Sequence, residues 1–221
     1  MFKLQEAQTY DPQEIKNLKK LVSRGEGLQL EFKRKANHPL EIVKEFIAFA
    51  NTQGGSLLIG VEDDGVIYGV KHAEGDVHAI AEALKFCKPA LEINQTFINL
   101  SDSRIVIRFD IPESKQKPHY LKCNEESIAY VRVIDKCMKA SSQMCEVLKR
   151  GQKATGIKFT YGDQEKLLMQ YLEVHQKITL KECAKLLKIN NWKASRKLVL
   201  LTLGDVLQII PTDKGDLYMR K

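Results

Sequence analysis

Four charged side chains early in this chain have types and spacings that suit phosphodiester chemistry. Glu31 and Lys33 share one face of the alternating run LQLEFK, whose other face carries Leu28, Leu30 and Phe32. A carboxylate can hold a divalent cation, and a lysine two residues on can orient water or phosphate beside it. Asp63 leaves the apolar run SLLIGV at its C-terminal end. Glu26 stands five residues before Glu31, and strict alternation turns it towards the apolar face. It joins the others only if Gly25 or Gly27 breaks the strand with a bulge or bend. Three carboxylates with a lysine would suit a magnesium or manganese site. In the competing reading Glu31, Lys33 and Asp63 are solvent-facing strand ends, with the lysine paired to the glutamate.

The elements that would position these groups follow from punctuation and periodicity. Asp11-Pro12 reads as the cap and first position of a helix bearing Ile15, Leu18, Leu21 and Val22, ending near Gly25. Pro39 opens a second helix that is apolar around most of its circumference, so it lies under cover on several sides. Asn51 to Gly55 ends that helix, SLLIGV is a continuous apolar strand, and DDG before VIYGV is a tight hairpin signal. Gly54-Gly55 follows a helix and precedes a strand, the reverse of a phosphate-binding loop, and no G-x-x-x-x-G-K-[ST] occurs. The glycine pair therefore reads as a turn.

A helix near 76–88, the strands LEINQTFINL and RIVIRFDI, a polar loop over 112–124 and the strand SIAYVRV complete an α+β domain. Ser141 caps a short helix through Lys149. The boundaries expected are a first domain over 1–150, a linker over 151–156 and a second domain over 157–221.

Composition excludes several classes. At 221 residues and 43% hydrophobic content the chain can bury a sizeable core. It has no run of the roughly 18 apolar residues a membrane span needs, and its first residues lack the apolar core of a signal peptide, so the expected location is the cytoplasm with no membrane partner. The five cysteines are odd in number and form no C-x-x-C pair. His119, Cys123, Cys137 and Cys145 could gather around a metal, but inert thiols are the simpler reading.

The net charge of +7 is uneven: residues 151–221 hold 13 Lys and Arg against 7 Asp and Glu. That excess suits a polyanionic partner. Three helices and a terminal hairpin, VLQII and DLYMR around PTDKG, make the order of a small winged helix-turn-helix. Lys193, Arg196 and Lys197 cluster on one face of its third helix, with Trp192 and Ser195 near its start, where base edges and phosphates would lie. Lys214, in the hairpin turn, is the expected wing contact. A winged helix used for protein pairing, with solvated lysines, is the alternative.

EGLQLEFKRK at 26–35, AFANTQGGSLLIGVEDDG at 48–65 with the following VIYGV, and YVRV at 130–133 after KPHY resemble the Schlafen-type AlbA-like domain. The resemblance covers most of residues 15–150. It implies a mixed-sheet, nucleic-acid-binding domain of the kind that in bacteria often precedes a winged helix in DNA-binding, transcription-regulator-like proteins. It also implies an alternative function. Some animal Schlafens are metal-dependent endoribonucleases that cut structured RNA such as tRNA with two glutamates and an aspartate, positions matched here by Glu26, Glu31 and Asp63, with Lys33 beside them and Mg or Mn as the cofactor. Those enzymes pair two copies of the domain, so a single copy would act as a homodimer. Their His/Cys zinc pattern is not evident here.

Overall fold

The computed structural model describes residues 11–123, 125–151 and 160–221; residues 152–156 of the expected linker lie outside them. By internal contacts the chain divides into two compact units, Met1–Cys137 and Met138–Lys221. Among the described residues no helix is long and apolar enough to cross a membrane.

The first unit opens with α1 (Pro12–Val22). The Asp11 carboxylate accepts from the Gln13 N–H at 2.8 Å, and Pro12 presets the first helical φ. β1 (Leu30–Lys33), α2 (Pro39–Asn51) and β2 (Gly55–Ile59) then form a parallel crossover, with Leu30 opposite Ser56 and Lys33 opposite Ile59. α3 (Ala73–Leu84) and β3 (Cys87–Lys88) precede the hairpin of β4 (Asn94–Ser101) and β5 (Arg104–Ile111). Because β5 runs antiparallel to both β2 and β4, the sheet β1-β2-β5-β4 is mixed, as expected for the α+β class. β6 (Tyr120–Cys123) pairs antiparallel with β3 and with β7 (Glu126–Val133) in a second sheet. The 112–124 loop expected from its polar sequence thus contains a strand. β8 (Lys136–Lys139) holds the point at which the chain divides.

The all-round apolarity of α2 is explained by its position. Phe46, Phe49 and Ala50 pack with Leu57, Ile59, Ile107 and Phe109 of the first sheet. Val43 and Ile47 pack with Ala83 of α3, Cys87 of β3 and Leu121 of β6. The other face of the first sheet buries Phe32, Leu58 and Val106 against Leu18 and Val22 of α1. Each large side chain so enclosed contributes about 1.5–3 kcal/mol of transfer free energy. The glycine pair lets this helix reverse into β2. Gly54 has φ 70°, and a Cβ there would lie 2.8 Å from the Glu113 nitrogen; one on Gly55 would run into the Phe49 ring.

The end of α2 also ties down the second sheet. Asn51, 1% exposed, donates through Nδ2 to the carbonyls of His119 (3.0 Å) and Tyr130 (2.9 Å), and its Oδ1 accepts from the His119 N–H at 2.7 Å. Thr52 accepts on its hydroxyl from the Arg132 N–H at 2.9 Å, while Lys117 Nζ donates to its carbonyl at 2.7 Å. The segments ANTQGG, KPHY and YVRV are therefore mutually bonded in space.

In the second unit, α4 (Ser142–Gly151) is capped by the Ser141 hydroxyl, which accepts from the Met144 N–H at 3.0 Å. α5 (Asp163–His175), β9 (Lys177–Thr179), α6 (Leu180–Leu186), α7 (Asn191–Leu203), β10 (Leu207–Ile210) and β11 (Leu217–Arg220) follow. The three strands form one antiparallel sheet of order β10-β11-β9. β9 is too short for its alternation to be visible in the sequence. Leu168, Leu172, Ala194, Leu198, Leu207 and Tyr218 lie in a common core. The sequence places the domain boundary near residue 150; by contact the whole of α4 goes with the second unit, where Gln143 Nε2 donates to Ser195 Oγ at 3.0 Å.

Asn51→Ala removes three hydrogen bonds and leaves two backbone carbonyls and one N–H buried without partners. The expected cost is about 2–4 kcal/mol, read as a lowered urea midpoint at unchanged m-value.

Candidate functional site

The acids do not stand as alternation implies. Gly25 adopts φ 70°, and Gly27 and Leu30 exchange backbone bonds across a tight turn, so the strand begins at Leu30 rather than Leu28. Glu26 lies before that turn and folds back along β1, where its Oε1 accepts from the Phe32 N–H at 2.8 Å. The glycine-mediated break is thus present. Leu30, Glu31 and Phe32 are all buried, and Glu31 is 6% exposed. The polar face of β1 is covered, and its carboxylate has been given cations.

Arg132 of β7 is the principal one. It is 3% exposed. Its NH1 donates to Glu31 Oε2 at 2.9 Å and to Glu45 Oε2 at 2.5 Å, and its NH2 donates to the Gly27 carbonyl at 2.6 Å. The guanidinium carbon lies 4.9 Å from the centroid of the Phe49 ring. Lys33 Nζ donates to the other oxygen of Glu31 and to the Phe32 carbonyl. One guanidinium therefore joins the turn before β1, β1 itself, α2 and β7.

The protonation preferences match this enclosure. Burial holds the Glu26 carboxyl above its ordinary value, against the Phe32 hydrogen bond and with help from nearby Glu31 and Asp63. Burial, then the charge of Glu31, pushes Glu45 up despite Arg132. Lys33 is desolvated, yet its bond to Glu31 and the surrounding carboxylates raise it, so it stays cationic.

Asp63 and Asp64 occupy the centre of the turn closed by Gly65 N–H to the Glu62 carbonyl at 2.9 Å, which is the hairpin the sequence indicates. Asp63 is exposed, near enough to Glu26 to raise its pKa. These residues do not fit a bound divalent ion. Both oxygens of Glu31 are engaged by cations, Glu26 Oε1 is taken by the Phe32 N–H, and among the described residues no group of three or more His, Cys, Asp or Glu side chains is placed to hold a metal. The His119 ring is bonded to the Pro89 carbonyl (2.9 Å) and Ser114 Oγ (2.7 Å), and Cys137 Sγ contacts the Lys44 carbonyl at 3.6 Å, so both have local partners instead of a shared ion.

Arg132 and Glu45 were not singled out by spacing. The available signal was an arginine within the apolar strand SIAYVRV, on the face shared with Tyr130, opposite a helix whose few charges include Glu45.

On the second unit the faces of α7 separate cleanly. Ala194, Leu198 and Leu201 face the core. Ser195 meets Gln143 of α4, and a Cβ on Gly151 at the end of α4 would lie 3.8 Å from Leu203 Cδ2, so α4 runs alongside α7 in the same direction. Trp192, 63% exposed, carries the Arg196 guanidinium 4.8 Å from its ring centroid, and Lys193 is exposed beside them. Neither Lys193 nor Arg196 meets a carboxylate among the described residues. Lys197 is paired with the buried Glu165, which also caps α5 through the Gly162 N–H at 3.0 Å. Lys214 is exposed in the β10–β11 turn. A groove of about 560 Å³ runs past Trp192, Arg196 and Glu165.

Comparison with known proteins bears on the first unit. A family model described as SLFN_AlbA_2: Schlafen, AlbA_2 matches residues 26–141. No curated protein matches the chain. Among solved structures the chain is similar to the DIP2311 protein from Corynebacterium diphtheriae, at 14% identity and a TM-score of 0.43 over 87% of this chain and 34% of that one. The chain thus spans about a third of that protein's length.

Arg132→Ala leaves Glu45 buried without its cation and Glu31 with Lys33 alone, and the expected cost in urea unfolding is about 3–5 kcal/mol. A carboxyl raised in the folded state contributes stability below its unfolded-state value and loses it as pH rises through the raised one. Stability measured from the ordinary glutamate range upward should therefore fall less steeply with pH in Glu45→Gln than in wild type; an identical slope would remove Glu45 from the account.

Proposed function

The chain belongs to the Schlafen AlbA_2 family, whose domain binds nucleic acid, and from that premise we propose that it is a DNA-binding transcriptional regulator acting through a winged helix-turn-helix in its second unit. The observation that carries the reading is the outward edge of α7, where Trp192, Lys193 and Arg196 stand together without carboxylate partners among the described residues. The order α5, β9, α6, α7, β10, β11 supports it: α6 and α7 form the helix pair, and the β10–β11 hairpin, with Lys214 in its turn, is the wing. The excess of 13 basic over 7 acidic residues in 151–221 supplies the long-range attraction.

α4 narrows the mode of contact. Two helices side by side are about 20 Å across, given a diameter of ~10–12 Å each, while the major groove is ~12 Å wide. With α4 beside it, α7 meets a duplex through the Trp192 and Arg196 edge and not along its full length. Ser195, turned to Gln143, makes no base contact in this arrangement, and Lys197 contributes less than Arg196 because Glu165 already neutralises it.

Titration of duplex genomic fragments tests this directly. Lys193→Ala and Arg196→Ala each lower affinity about tenfold and reduce the salt slope by about one. Lys197→Ala has a smaller effect and Ser195→Ala none. Unchanged affinity and slope in the Lys193→Ala, Arg196→Ala double variant would overturn the reading. Metal-dependent RNA cleavage is the alternative the family raises, and the engagement of Glu31 by Lys33 and Arg132 argues against it. The expected result with tRNA and manganese is no cleavage by wild type. Cleavage lost in the exposed Asp63→Ala variant would establish the nuclease instead.

A further inference from the structure

A separate cavity of about 620 Å³ opens on the first unit where the end of β1, the segment leading into α3 and the start of β5 come together. Arg34 and Lys35 enter it from the end of β1, Lys71 from the segment before α3, and Arg104 as the first residue of β5. Against these four cations stand Asp76, which also lines the cavity, and Glu62, which pairs with Arg34. The balance remains positive. Burial pushes the Asp76 carboxyl up, against the pull of nearby His72. α3 begins at Ala73, beside the lining residue His72, which gives no side-chain cap to the helix's first turn.

The cavity also carries a flat surface. The Arg34 guanidinium lies 4.8 Å from the centroid of the Tyr68 ring, and Tyr68 is 47% exposed. The wall behind it is fixed by backbone contacts. Gly69 has φ 66°, and a Cβ there would lie 3.1 Å from the Ile105 nitrogen; Val70 and Ile105 exchange bonds of 2.7 and 3.0 Å. Arg104 NH1 donates to the Gly69 carbonyl at 3.1 Å, which anchors that cation in place. The backbone wall and Arg104 are thus set before a ligand arrives, and the volume lies in the range of small-molecule sites.

We propose that this cavity binds a small phosphorylated ligand bearing a planar ring, of mononucleotide size, with Lys35, Lys71 and Arg104 taking the phosphate and the Arg34–Tyr68 stack taking the ring. A concave site of this size accommodates one nucleotide, whereas a nucleic-acid backbone needs a continuous track. The ligand is therefore a free nucleotide, and the proposal concerns the first unit alone, independent of DNA contact by the second.

Calorimetric titration of the full chain with inorganic pyrophosphate, with the four common 5′-mononucleotides, and with short single-stranded oligonucleotides carrying or lacking a 5′-phosphate tests it. Saturable binding of pyrophosphate and of at least one mononucleotide is expected. Lys35→Ala and Lys71→Ala, both exposed and free to fold, each weaken binding about five- to tenfold. Tyr68→Ala weakens the mononucleotide and spares pyrophosphate, and Asp76→Asn tightens both. Tighter binding of the 5′-phosphorylated oligonucleotide than of any mononucleotide would replace the free ligand by a nucleic-acid end and overturn that part of the proposal. No saturable binding by any probe, or affinities unchanged in the Lys35→Ala, Lys71→Ala double variant, would overturn the site.

Discussion

A guanidinium removed from water costs several kcal/mol even after relaxation, and Arg132 is 3% exposed. It is retained because that one group satisfies partners on three segments: Glu31 of β1, Glu45 and the Phe49 face of α2, and the Gly27 carbonyl in the turn before β1. Its Nε has no partner among the described residues, so the site is not fully compensated. A well-packed apolar replacement could match its stability, but would not dictate which segments meet. The ion cluster is directional, and apolar contact is not. Fixing β7 against α2 at one register is what Arg132 adds to the hydrophobic core.

The family motif reads differently once this is seen. Asn51 and Thr52 bond to the KPHY and YVRV segments, Gly54 and Gly55 let α2 turn under Phe49 and Glu113, and Glu62 beyond β2 pairs with Arg34. The long motif is thus largely a description of how one helix is enclosed on several sides. The glycines serve backbone approach, and of the acids after the strand, Glu62 is paired, Asp64 accepts from the Val66 N–H at 3.0 Å, and Asp63 stays exposed.

Much of this was legible in the sequence for a physical reason. Caps, prolines and glycines act within a few residues, so α1, α2, the Glu62–Gly65 hairpin and the cap at Ser141 are found where local chemistry puts them. The strand at 120–123 and β9 were not, because each is four residues or fewer, too short for alternation to show, and their pairing with β3 and β11 joins segments far apart in sequence. Burial of Glu31 was equally hidden. Alternation correctly gives the two faces of β1, but cannot say that β7 covers the polar one, since the covering arginine lies 101 residues away. Glu26 shows the limit of periodicity from the other side: the bend it required is there, and delivers the carboxylate to a backbone N–H rather than to an ion.

Two clusters of cations are used in opposite ways. Around Arg132 and Lys33, positive charge is matched inside the molecule by Glu31 and Glu45, with Glu26 nearby. On α7 the basic side chains are sorted by face, with Lys197 drawn inward to Glu165 and Lys193 and Arg196 left outward next to an exposed tryptophan. An exposed indole costs hydration free energy that a purely structural surface could avoid by carrying a polar residue. Stacking Arg196 over it keeps a flat cation in place without neutralising it, and such a pairing is useful to an anionic, ring-bearing partner in a way that a solvated lysine patch is not. In the proposed DNA-binding reading the Trp192–Arg196 edge therefore bears more weight than the net charge of the segment, most of which is distributed over positions that any basic surface would have.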